Sequence, residues 1–283
     1  MVIFVKSYPK DFVRLQVLLE SIEMYNMDNI PVYVCVDKGQ PAKRLESTID
    51  TSQCNVVYSE DILGHYTDKE IMVLKNMTRW EIQQVIKFEF CKNLIDSHNF
   101  LIVDSDSIFI RPFYISDFFD IEQNLYTIMR TVKGQIQDYA NDVRHLDIGQ
   151  DDQTQIMSFE RKKIQKVFKR EGKVYDFGPP GVLWSQLVIN DFYDNYLLKN
   201  DLSFSDIIKE VPIEYNWYGE WLLESKVIPL IPKEPIFKNI FWEDQYDTLI
   251  KNGVSKSDLA ETYIGLNLQT SFSREKGIID YEL

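Results

Sequence analysis

An α/β fold, with a mostly parallel central sheet flanked by helices, follows from three features of the sequence. Short apolar, β-branched runs alternate with segments whose apolar residues recur at helical spacing. The run Phe100–Val103 is continuously apolar, as in a strand covered on both faces, and an acidic pair follows it directly. At 283 residues, 45% apolar and 13% aromatic, the chain can bury a large core, which excludes a disordered tail, a coiled coil and a peptide scaffold.

The elements are expected in this order. Val2–Val5 is a short apolar run closed by Ser7, Tyr8 and Pro9. Asp11 then precedes Phe12, Leu15, Leu18, Leu19 and Ile22, so strand, loop and capped helix succeed one another. Pro31–Asp37 is β-branched and aromatic, ends in an acidic residue and runs into the loop Gly39-Gln-Pro41. Asn55–Tyr58 reads as a third strand, 79–96 as a helix free of Gly and Pro, and Phe100–Val103 as the buried strand. Leu125–Met129 is a further apolar run, after which the polar stretch 134–155 reads as loops and a helix start. A basic helical segment follows at 161–170, with Arg161, Lys162, Lys163, Lys166, Lys169 and Arg170 around Ile164, Val167 and Phe168. Then come the loop 176–181, helices over about 184–198 and 214–224, and an edge strand Val227–Ile231 marked by its proline. No repeat or long linker divides the chain, so one domain over 1–283 is expected.

Charge and cysteine content narrow the partners. With 31 Lys and Arg against 44 Asp and Glu, the net charge of −13 repels phosphate backbones, so nucleic acid is not an expected partner. Cys35, Cys54 and Cys91 form no C-x-x-C pair and cannot all be paired within one chain, as in a reducing compartment. Every apolar run is too short to span a membrane, and the charges that follow Val5 leave no room for a signal peptide. A cytoplasmic protein is expected.

The chemistry is expected at Asp104-Ser105-Asp106, the chain's only D-x-D. Ligands of open α/β sheets bind at the carboxyl ends of the strands, and this motif ends a strand. Two adjacent carboxylates repel each other and attract a hard divalent cation, which would also let an acidic protein hold an anionic diphosphate. Loop capping is the alternative for both aspartates. Trp80, Gln83, Gln84 and Lys87 fall at i, i+3, i+4 and i+7, one helix face that either lines a pocket or meets solvent.

In this D-x-D the sequence resembles the metal-dependent glycosyltransferases of the GT-A fold, and more narrowly the DUF6492 family of uncharacterised GT-A-like proteins. The matching segments are Trp80–Lys87 (W-x-x-Q-Q-x-x-K), Val103-Asp-Ser-Asp-Ser-Ile-Phe-Ile-Arg-Pro-Phe113, Gly178-Pro-Pro-Gly181 and Glu214-Tyr-Asn-Trp-Tyr-Gly219. The resemblance implies a GT-A-like, Rossmann-like sheet with a C-terminal acceptor-side elaboration. Residues 1–115 would form the nucleotide-binding half and 116–283 the acceptor-binding half.

It also implies roles. The donor would be a nucleotide-diphosphate sugar, with a UDP-sugar the first choice, and the acceptor a glycan or a lipid-linked sugar. Mn²⁺ or Mg²⁺ would sit on Asp106 and Asp104. Lys6, Ser7 and Tyr8 lie where the fold holds the nucleoside, although a turn or core role serves Tyr8 equally well. Gln83, Gln84, Lys87 and Ser105 would complete the donor pocket. Glu214 is the expected base, with Glu220, Asp151 and Asp152 in reserve and helix capping as the alternative for each. Gly178, Pro179, Pro180 and Gly181, with Trp184 as a stacking platform and Tyr218 beside it, would shape the acceptor side, against the alternative of a plain loop and a core tryptophan. The family's late metal-binding histidine has no counterpart: His65, His98 and His145 come too early, which leaves Asn267, Gln269 or water. The basic run 161–170 is either a solvated face or a peripheral contact with anionic lipid at the inner face of the membrane.

Two other readings fit parts of the sequence. A strand ending in D-x-D is also the first motif of haloacid-dehalogenase-like phosphatases, with Asp151-Asp152 as a later acidic pair. There, however, the motif normally lies on the chain's first strand. A non-catalytic sugar-nucleotide-binding module would keep the pocket and lack the base.

Overall fold

The computed structural model describes residues 1–94, 98–142, 150–178, 181–274 and 276–281. In the first part strands and helices alternate: β1 (Val2–Lys6), α1 (Phe12–Tyr25), β2 (Val32–Val36), α2 (Gln40–Thr48), β3 (Asn55–Tyr58), α3 (Ser59–Ile62), α4 (Asp68–Leu74), α5 (Arg79–Asn93) and β4 (Asn99–Asp104). The middle holds β5 (Ser107–Phe109), β6 (Tyr126–Ile128), β7 (Arg130–Thr131), α6 (Val132–Asp142), α7 (Gln150–Val167), β8 (Tyr175–Asp176) and β9 (Val182–Ser185). After these come α8 (Gln186–Phe192), α9 (Phe204–Glu210), α10 (Glu214–Ser225), β10 (Ile231–Lys233), β11 (Phe237–Ile240), α11 (Glu243–Lys251), α12 (Lys256–Ala260), β12 (Gly265–Leu268) and α13 (Thr270–Ser273).

The central sheet has the order β3-β2-β1-β4-β9. Its first four strands are parallel, and β9 pairs antiparallel with β4. Successive side chains on a strand point to opposite faces, and both faces are covered here. Val2, Phe4, Phe100 and Ile102 pack with α5, α8, α9 and α10, whereas Ile3, Val5, Leu101 and Val103 pack with α1 and α2. This is why β1 and β4 read as unbroken apolar runs. Each such side chain contributes about 1.5–3 kcal/mol on burial.

A second, three-stranded sheet has the order β11-β12-β5, and its strand β5 begins two residues after β4 ends. The D-x-D is thus the turn that carries the chain from one sheet to the other. The Leu268 amide donates to the Asp106 carbonyl at 2.9 Å and fixes that passage.

Several expectations are corrected. Residues 182–185 extend as β9 rather than opening the helix expected from about 184, because their β-branched and aromatic side chains are all buried against the sheet. The helix itself covers only α8, followed by a widened turn over 193–197. The expected edge strand over 227–231 lies further on, at β10, which pairs with β6 and accommodates Pro232 on a two-stranded ribbon. The polar stretch 134–155 is mostly helical, in α6 and the start of α7, and 143–149 lie outside the described residues. Among the described residues no helix is long and apolar enough to cross a membrane.

Candidate functional site

The carboxyl ends of β1 and β4 open into a cavity of about 400 Å³. Lys6 and Asp104, the last residues of these two strands, are register partners, so the parallel pairing itself sets them side by side at the rim. Lys6, Tyr8, Gln83 and Lys87 line the cavity from one side. Asp104, Ser105, Asp106 and Glu214 line it as well.

Lys87 organises the acidic groups. Its ammonium lies 3.0 Å from Asp104 Oδ1 and donates to Glu214 Oε1 at 2.8 Å, with only 6% of its side chain exposed. Burial would lower its pKa, yet the two carboxylates outweigh that and raise it, so the ammonium stays charged. Helix α5 delivers it there. A reciprocal capping box starts that helix, Thr78 accepting from the Glu81 amide and Glu81 from the Thr78 amide. One turn on, Gln84 accepts from the Glu214 amide at 3.1 Å, tying the start of α10 to α5.

Asp106 is held differently. Asn267 donates its amide N–H to Oδ1 at 2.6 Å and the Thr270 backbone amide donates to Oδ2 at 3.2 Å. Burial, and then the neighbouring Asp104 charge, push its carboxyl up to about 7 despite those bonds. A cation held by the two aspartates would relieve that repulsion. Two hard carboxylate oxygens beside open space are the protein's usual share of a Mg²⁺ or Mn²⁺ site completed by phosphate oxygens and water, so the donor set fits such an ion. Among the described residues no group of three His, Cys, Asp or Glu is placed to hold a metal ion. Asn267 turns its nitrogen to Asp106 and its oxygen to Gln269, so it orients the aspartate rather than offering it an oxygen neighbour.

The loop after β1 is built around Lys6. Its ammonium donates to Asp37 Oδ1 and to the Ser7 carbonyl, both at 3.1 Å, and lies 4.2 Å from the centre of the Tyr8 ring. Burial opposes ionisation of Asp37, but hydrogen bonds from Ser59 and Lys6 hold its carboxyl below the usual range. The Lys6 charge expected to meet a phosphate is therefore already paired. Ser7 is buried and does not reach the cavity. Neither does Gln84, whose amide is used on Trp80 and Glu214.

The residues expected on the acceptor side lie elsewhere. Trp184 is 1% exposed and stacks between Phe88 and Tyr218, at 4.9 and 5.4 Å, inside the core. Tyr218 is buried too, its hydroxyl accepting from the Ser185 amide. Neither can serve as a platform. Gly178 gives room to the Tyr215 ring, which a Cβ would meet at 2.6 Å. Gly181, at φ +91°, does the same for Phe237 at 2.4 Å. Pro179, Pro180 and His145 lie outside the described residues, as do the side chains of Asp151 and Asp152. Glu220, a reserve base, is fully buried in a two-pronged ion pair with Arg170 at 2.5 Å, away from the cavity. Arg161 likewise pairs with the buried Asp176. Two of the six basic residues of 161–170 are thus structural, and Lys162, Lys163, Lys166 and Lys169 remain exposed.

Several cavity residues carried no sequence signal. Asp11, read as a helix cap, makes no cap bond and instead pairs with Arg274 at 2.6 Å, 263 residues away. Arg274, Thr270, Tyr215 and Phe241 also reach the cavity. Arg274, Thr270 and Phe241 approach by way of the second sheet and α13, which no local pattern announced, whereas Tyr215 comes with the expected helix α10.

No curated protein matches this sequence. Among solved structures, an active-site mutant of LgtC superposes with a TM-score of 0.50 at 14% identity, covering 94% of this chain and 86% of that one. Galactosyltransferase LgtC in complex with donor and acceptor sugar analogues gives 0.49 at 15% identity, with the same coverages of 94% and 86%. Mouse xyloside xylosyltransferase 1 gives 0.45 at 10% identity, covering 95% of this chain and 98% of that one. The first of these matches shows a shared fold, a GT-A-like α/β arrangement with a parallel-dominated central sheet. A family model described as a family of unknown function matches residues 3–162, more than half of the chain, and the protein therefore belongs to the DUF6492 family.

Proposed function

We propose that this protein is a glycosyltransferase that moves a sugar from a nucleotide-diphosphate sugar to a glycan or lipid-linked acceptor. One observation carries the reading: Asp104 at the end of β4 and Asp106 in the turn after it line a cavity that also presents the Lys87–Glu214 pair. Asp104 and Asp106 would hold a divalent cation that stabilises the negative charge developing on the departing diphosphate. Lys87 keeps Asp104 and Glu214 apart and oriented. Glu214, with Oε1 on Lys87, offers Oε2 to take the proton of an acceptor hydroxyl. Tyr8, with its hydroxyl donating to the Arg79 carbonyl, lines the cavity and is the residue against which a base would pack. UDP is the first nucleotide to try, and the four exposed lysines of α7 and its end are the surface for a lipid-linked acceptor.

The test is a thermal-shift panel of UDP-, GDP-, CMP- and dTDP-sugars with and without Mn²⁺, followed by release of free nucleotide. At a ligand concentration of about 100 times Kd, binding adds about 2.7 kcal/mol of stability. A shift that requires Mn²⁺, with nucleotide release that disappears in Asp106→Asn while the fold persists, is expected. Phosphate release from a generic phosphomonoester, with no sugar nucleotide bound, would instead make the protein a phosphohydrolase. Binding without turnover would make it a sugar-nucleotide-binding module.

A further inference from the structure

Phe241 borders a second cavity as well as the first. This one has a volume of about 290 Å³, the lower end of the range of ligand clefts. Its aromatic wall is Tyr139 and Trp242, whose rings are 4.1 Å apart and inclined at 47°. Trp242 is 39% exposed, so part of its indole is open to contact. The Tyr139 hydroxyl is anchored on Asp244, which holds the ring in place.

Asn239, on β11, also lines this cavity and is only 8% exposed. Among the described residues neither its amide nitrogen nor its amide oxygen has a hydrogen-bond partner. Gln135, 5% exposed on α6, presents an equally unpaired Oε1. Buried polar atoms are nearly always satisfied, and three left open around one cavity mark a place where hydroxyls belong. The charged residues on the wall are Arg130, Lys238 and Glu234, and no pair of carboxylates like Asp104 and Asp106 stands among them. A neutral ligand with one apolar face and a rim of groups that both donate and accept meets every requirement. A pyranose ring is such a ligand.

We propose that this cavity is a saccharide subsite that seats a ring of the acceptor beside the donor cavity, with Trp242 and Tyr139 against the ring face and Asn239 and Gln135 on its hydroxyls. The assignment of that ring to an acceptor rests on the transferase reading given above; the saccharide class rests on the cavity alone.

The test is saturation-transfer NMR on the full chain with methyl glycosides of glucose, galactose, mannose and N-acetylglucosamine, lactose and maltose, and separately with UDP plus Mn²⁺. At least one glycoside is expected to bind. Trp242→Ala and Asn239→Leu should each weaken it by about tenfold, the effect of losing one good contact. Trp242→Phe, which keeps the aromatic face, should restore most of the binding, and UDP binding should be the same in all. The proposal is overturned if no glycoside of the panel binds, the cavity then holding water alone, or if binding is undiminished in both variants. Glycoside binding without nucleotide binding would remove the transferase reading and leave the subsite standing. Nucleotide binding without any glycoside would do the reverse.

Discussion

Lys87 shows how much can rest on one side chain. It separates two carboxylates that its removal would leave facing each other in a poorly solvated place, and unpairing a buried ion costs about 3–5 kcal/mol. Lys87→Met should therefore lower unfolding free energy by about 3 kcal/mol in urea denaturation, and adding Glu214→Gln should recover part of that loss. Asp37 provides a pH signature. Its native pKa lies below the unfolded value of about 3.9, so its contribution is present above that pH and is lost as pH falls through the native value. The stability gap between the wild type and Asp37→Asn should accordingly be open at pH 6 and close below about pH 4, as followed by acid-series urea melts. At this scale Asp104, Asp106, Lys87 and Glu214, singled out in the sequence, all line one cavity, because strand ends and helix starts dictate where their side chains go. The sequence could not place Thr270 or Arg274, whose bonds to Asp106 and Asp11 span 164 and 263 residues, and Asn267, named there for the metal shell, instead donates to Asp106. Trp184 misled, since a buried tryptophan and a stacking platform have the same letter and only the packing separates them.

Elements decide how firmly those side chains are held. Helix α5 carries Gln83, Gln84 and Lys87, and its capping box satisfies amides that would otherwise be open. Thr78→Ala should cost about 1 kcal/mol by chemical denaturation. The second sheet depends on a close approach at Gly265, where a Cβ would lie 2.2 Å from the Phe237 ring and 2.7 Å from the Ile108 carbonyl oxygen. The ring can shift but the backbone oxygen cannot follow easily, so Gly265→Ala should destabilise by about 1–3 kcal/mol in the same assay. Among the long elements, α1 was legible from hydrophobic period and α5 from its freedom from Gly and Pro, whereas α6 and the start of α7 are too polar to register. Strands of two or three residues, such as β5, β7, β8 and β10, are too short for any period to register. The four-residue β9 was taken into the helix that follows it for the same reason.

Over the whole molecule, an acidic chain with a net charge of −13 has to hold an anion if the proposed donor is right, and it needs local positive charge to do so. The cations around the cavity are largely committed: Lys6 to Asp37, Lys87 to Asp104 and Glu214, and Arg274 to Asp11. A divalent ion held by Asp104 and Asp106, where the chain crosses from the first sheet to the second, would then be the main counter-charge for the proposed diphosphate. The sequence foretold the first sheet and its acidic exit, whereas the sheet that receives the chain is assembled from strands distant in sequence. Titration calorimetry of UDP, GDP and dTDP into the wild type and Asp106→Asn, with and without Mn²⁺, bears on this most directly. The account predicts that one nucleotide binds the wild type with Mn²⁺ and loses about 100-fold in affinity, about 2.7 kcal/mol, when either the metal or the Asp106 carboxylate is removed. A nucleotide that binds equally tightly without Mn²⁺ and to the variant would contradict it.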